Sequence, residues 1–204
     1  MTKTGEEYAC SKLEPDLLER PRGVQFYSAI NYQGKALNGK WPTGRIYDFD
    51  GSKLRPSQMT PPAIEAKASL SLGYEAQAMA IYCGDLFVGH WPKGEVWRWD
   101  HREKRWHYFK RFFTPVEGEP FIPYSDRTDD GLNPALFGQR ITAPIPYRDA
   151  LYVVTSNLSG WRNGIRTSRV LSEDKAREYG AIHRIEREGC TSSYMKLDQI
   201  QPTE

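Results

Sequence analysis

The chain repeats itself at an offset of fifty residues, and this limits its fold more than any other feature. YQGKALNGKWPTGRIYDFD (32–50) and YCGDLFVGHWPKGEVWRWD (82–100) share seven of nineteen positions without a gap. The identities are Tyr32/Tyr82, Gly34/Gly84, Gly39/Gly89, Trp41/Trp91, Pro42/Pro92, Gly44/Gly94 and Asp50/Asp100. All the turn residues coincide, which is the mark of one supersecondary unit used more than once.

Within each unit the pattern is that of strands. VQFYSAIN alternates and is rich in β-branched and aromatic residues, and KALNGKW, RIYDFD and KLRPS follow it across tight turns. AQAMAIY, DLFVGHW, GEVWRWD and RWHYFKRFF repeat the series. A third, stretched copy aligns ITAPIPY and ALYVVTS with the first two strands, Tyr147 matching Tyr82 and Leu151 matching Leu86. AIHRI then matches the third strand, and SSYMKLDQI is expected to close the unit. Between Asn157 and Gly180 this copy carries twenty-one residues more than the second. The expected class is all-β, with antiparallel four-stranded units over 24–57, 74–113 and 139–200 in one domain (24–200), after a polar lead-in, 1–23.

Composition excludes several classes. With 28 basic and 26 acidic residues, no net field favours nucleic acid or an anionic membrane. No apolar run reaches the ~20 residues that span a bilayer, and the N-terminus lacks a signal's apolar segment. Cys10, Cys83 and Cys190 are odd in number and widely spaced, so no disulfide framework is implied and the default compartment is cytoplasmic.

The layout of these units resembles the blades of β-propellers of the kelch, tachylectin and sialidase-like kinds over roughly 24–200. The resemblance implies an incomplete ring, since propellers close with about four to eight blades and three units are present. It implies self-association to complete the ring. It also implies one functional face, formed by the loops between second and third strands and between units. In this chain those loops are the long ones: 56–75, 114–140 and 157–179.

Candidate contacts follow from that face. Trp41 and Trp91 occupy equivalent turns, where an indole can stack on a sugar or plug the space between units, and His90 lies beside Trp91. Asn157, Trp161, Arg162 and Arg166 belong to the insertion, and Arg140 opens the third unit; arginines so placed can grip a carboxylate or phosphate, or form a solvated lid. Asp126, Asp129 and Asp130 are the candidate catalytic carboxylates. DRTDDG begins like a Ca²⁺ loop, but Pro134 and Phe137 stand where further oxygen ligands belong. The four histidines form no zinc pattern, so no metal or other cofactor is expected.

No nucleophile elbow, P-loop or dinucleotide fingerprint is present. The expected function is therefore a binding module for a carbohydrate or protein partner. The alternatives are a sialidase-like hydrolase or lyase acting on an acidic sugar, and a fragment of a larger propeller.

Overall fold

The computed structural model describes residues 25–41, 43–64, 74–91, 93–114, 139–157, 178, 180–188 and 190, with the side chain of residue 157 excepted. The expected closing strand of the third unit and the lead-in lie outside them. Among the described residues the protein is all-β and forms three antiparallel sheets. The first runs in order β1 (Gln25–Tyr32), β2 (Lys35–Trp41), β3 (Ile46–Phe49), β4 (Leu54–Pro56). The second runs β5 (Glu75–Tyr82), β6 (Asp85–Trp91), β7 (Glu95–Asp100), β8 (Arg105–Arg111). The third contains β9 (Gln139–Tyr147), β10 (Ala150–Asn157) and β11 (Ile182–Glu186), with β10 central. Among the described residues, no helix is long and apolar enough to cross a membrane.

The repeat in sequence is a repeat in geometry. Each first strand carries a bulge at the equivalent place: between Phe26 and Ser28, between Ala76 and Ala78, and at Thr142 opposite the Val154/Thr155 step. The first turn of the first two sheets is a two-residue hairpin with both residues at positive φ, Gln33-Gly34 and Cys83-Gly84.

The sheets pack in sequence, β5 lying against β1 and β2, and β9 against β5 and β6. The two joints are built alike. At one end, isolated parallel bridges join Thr43 to Tyr74 and Lys93 to Gln139. At the other end, the Tyr32 hydroxyl donates to the Gly84 carbonyl and the Tyr82 hydroxyl to the Asp149 carbonyl. Midway, glycines permit close approach. A Cβ on Gly39 would lie 2.2 Å from the Ala76 carbonyl oxygen, and one on Gly89 would lie 2.5 Å from the Ile141 Cβ. Ala76 and Ile141 are themselves equivalent, each six residues before the tyrosine that ends its strand.

Two apolar clusters fill the joints. Leu37, Ile46, Ala76, Leu86 and Val88 lie in the first, flanked by Met79, Ile81, Trp99 and Trp106. Ala78, Ala80, Phe87, Val96, Ile141, Leu151 and Val153 lie in the second. The second sheet is thus covered on both faces, which is why its central strand β6 is buried throughout.

One sequence expectation is corrected. Cys83, in the first turn of the second sheet, is joined by a disulfide to Cys190, four residues beyond β11, with Cα atoms 5.5 Å apart. The wide spacing that hid this pair, 107 residues, is the span from the second sheet to the end of the third.

Candidate functional site

Strand register gathers the first residues of β1, β5 and β9 at the end that carries the long loops. Gln25 pairs with Trp41, Glu75 with Trp91, and Gln139 with Asn157, so strand starts and second-strand ends coincide. Gln25, Glu75 and Arg140 are equivalent positions in the three units, each seven residues before the strand-ending tyrosine. The framework around them is copied, but these three positions hold an amide, an acid and a base.

Glu75 is the unusual member. It is 3% exposed, and its Oε2 is buried without a hydrogen-bond partner. Burial pushes its carboxyl up to about 7, with the positive charge of Arg140 pulling the other way. Arg140 is half-buried, and its Nε is also buried and unpartnered. Tyr27 completes the group. Its hydroxyl donates to Gln25 Oε1 at 2.6 Å, and its pKa is raised by burial and by the charge of Glu75, against that of Arg140. Gln77, the bulge residue two positions after Glu75, has a buried Oε1 without a partner. Thr142 and Ser156 share a hydrogen bond of 2.7 Å beside Arg140.

The candidates named from sequence divide three ways. Arg140 stands in this group, and half-buried Trp41 ends the strand beside Gln25. His90 and Trp91 are both buried. His90 is 1% exposed, with Nε2 3.3 Å from the Gly44 carbonyl oxygen, and Trp91 is buried at the end of β6. His90 packs against the turn at Gly44 of the first sheet. The backbone of Asn157 ends β10 at this end. Asp126, Asp129, Asp130, Trp161, Arg162 and Arg166 lie outside the described residues.

A second polar cluster lies at the opposite end. Asp85, fully buried, accepts from Arg98 Nη1 at 2.7 Å, from the His101 amide at 3.0 Å, from His101 Nδ1 at 2.6 Å and from Arg187. Asp100 lies 3.3 Å from Arg98 and accepts from the amides of Arg102 and Glu103. Burial opposes ionisation of Asp85, but the His101 and Arg187 hydrogen bonds outweigh it and hold the carboxyl below its usual range. Ligand atoms of Asp85, Asp100 and His101 lie within 4.8 Å of one another. Two arginines already supply the positive charge there, so the cluster reads as an ion-pair lock between the second and third sheets.

Sequence reasoning missed Glu75 and Asp85. Glu75 sat in what looked like an ordinary strand start. Asp85 had a usable signal. The first copy has Lys35 and Asp48 where the second has Asp85 and Arg98, and the reversed charges form the same cross-strand pair, 3.1 Å apart in the first sheet.

No family model, no curated protein and no solved structure matches this chain.

Proposed function

We propose that this chain is a β-propeller-type binding module that holds a carbohydrate or protein partner at its loop-bearing end. The observation that carries this reading is the divergence of Gln25, Glu75 and Arg140 within a framework that otherwise repeats. Packing sets the glycines, tyrosines and bulges alike in each unit, whereas these positions have been left to chemistry. The orphaned Glu75 Oε2 and Arg140 Nε support it, since buried polar atoms without partners cost free energy unless something supplies one. The propeller part of the reading is supported by the two alike joints, each with a parallel bridge, a close glycine contact and a tyrosine hydrogen bond at equivalent positions. A glycan array probed with wild-type protein and with Arg140→Ala tests the reading. Binding that disappears in the variant is expected; an array silent for the wild type, with no protein partner retained on it, sinks the reading.

One observation favours a second reading, a glycoside hydrolase or lyase. A carboxyl that titrates at about 7 is poised to exchange protons near neutrality. Release of aryl leaving groups from sugar substrates by wild type but not by Glu75→Gln would establish it.

A further inference from the structure

The inference here rests on the reading of the loop-bearing end as a binding site and names what that site takes. We infer that the starts of β5 and β9 form a receptor for a ligand carboxylate, held between the carboxylic acid of Glu75 and the guanidinium of Arg140.

The positive charge of Arg140 bears on Glu75, yet no ion pair or hydrogen bond joins the two side chains. Were their purpose to stabilise the sheets, a direct pair would be the low-energy arrangement, as it is for Arg98 and Asp85 at the opposite end. Instead each keeps a buried atom idle, which costs free energy unless something else supplies the partner.

The missing partner can be read from what each orphan offers. Arg140 Nε is a donor. Glu75, held protonated by its burial at pH below about 7, offers an O–H there and is a donor too. Two neighbouring donors with one net positive charge call for one anionic group with two acceptor oxygens, which a carboxylate supplies. The acceptor left over at Gln77 Oε1 is met by a hydroxyl on the same ligand. A cationic ligand would be repelled by Arg140, and an uncharged sugar would leave the guanidinium uncompensated.

The arrangement couples binding to Glu75. At this end of the strands around it the other charged or titratable groups are Tyr27 on β1, Lys40 on β2, His90 on β6 and Glu95 on β7, with Tyr74 just ahead of β5. Lys40 lies over the Tyr47 ring and His90 against Gly44, so Arg140 is the charge that bears on Glu75. Once Glu75 ionises, its carboxylate faces the ligand's and repels it.

Titration calorimetry on the full chain at pH 5.5 and 8.5 tests this, with sodium D-glucuronate, D-glucose and inorganic phosphate as probes. Glucuronate is expected to bind at pH 5.5 and at least about tenfold more weakly at pH 8.5, with glucose silent. Glu75→Gln, whose amide donates at every pH, should bind glucuronate equally at both. Arg140→Gln, checked for native circular dichroism, should lose binding at both. Glucose binding as well as glucuronate, phosphate binding more tightly than either, a pH-dependence that survives in Glu75→Gln, or no glucuronate binding at pH 5.5 overturns the inference. Neutral glycans captured on the array while glucuronate is ignored would remove this assignment and leave the binding-module reading standing.

Discussion

The Tyr32 hydroxyl donates to the Gly84 carbonyl oxygen at 2.9 Å, and fifty residues on the same bond is made again, from Tyr82 to Asp149 at 2.6 Å. Each bond ties the end of one sheet's first strand to the first turn of the next. Tyr147 is the third tyrosine of the series, 54% exposed, and its hydroxyl makes no hydrogen bond among the described residues. Replacing Tyr32 or Tyr82 by Phe should each cost about 1 kcal/mol in denaturant titration, and Tyr147→Phe nothing measurable. Equal losses at all three positions would mean that the bonds do not hold the joints.

The glycines at the joints should differ in a set order. Gly39→Ala drives its Cβ against a backbone carbonyl, whereas Gly89→Ala meets only the Ile141 side chain. Both should destabilise by about 1–3 kcal/mol, Gly39→Ala more. The double variant Gly89→Ala with Ile141→Gly should lose less than the sum of its two single losses, because Ile141→Gly removes the Cβ that the new methyl meets. Additive losses would rule out the close contact.

Asp85→Asn removes the acceptor shared by Arg98, His101 and Arg187 and should cost about 2–3 kcal/mol at pH 7. The folded carboxyl titrates below its unfolded value, so its contribution is complete above about pH 4 and vanishes as pH falls through the folded pKa. The gap between wild type and variant should therefore close in acid. A gap that is constant from pH 7 to pH 2 would remove the ion-pair explanation.

Glu75 works in the opposite sense. Its folded pKa of about 7 lies above its unfolded value, so the folded state holds the extra proton and stability falls as pH rises from about 4.5 to 7. Glu75→Gln should match wild type near pH 4 and exceed it by about 2–3 kcal/mol at pH 8. Thermal melts at the two pH values decide the matter; a variant less stable at pH 8 would show the carboxylate to be paired.

Reduction of the Cys83–Cys190 bond should lower stability by about 2–4 kcal/mol, since it closes a loop of 107 residues. The check is the urea midpoint with and without reductant. Cys83→Ser should sit at the reduced value and ignore the reductant.

Strand positions and the likeness of the units were legible because turn residues and period-2 alternation are local properties. The bulge at Gln77 was not, since one extra residue in a strand leaves no mark until its partner is known. The disulfide and the Asp85 lock depend on residues about a hundred positions apart, which only packing of the third sheet on the second brings together. The burial of His90 and Trp91 was not legible, because a polar turn next to Pro92 reads as a rim. What buries them is the neighbouring sheet, a contact that no local pattern encodes. Glu75 was invisible for the same reason: its chemistry comes from its burial, not from its neighbours in sequence.

Val154 stands where the first two sheets have Gly39 and Gly89; it pairs with Ala143 and Ile182 as Gly89 does with Ala78 and Val96. A further sheet seated by the same joint would drive its first strand into that isopropyl group. A second copy of this chain would bring Phe26, the counterpart of Ala76 and Ile141, to that place. The stack therefore has a polarity. Its first two sheets each receive the next first strand at a glycine, and its third carries a side chain at that position.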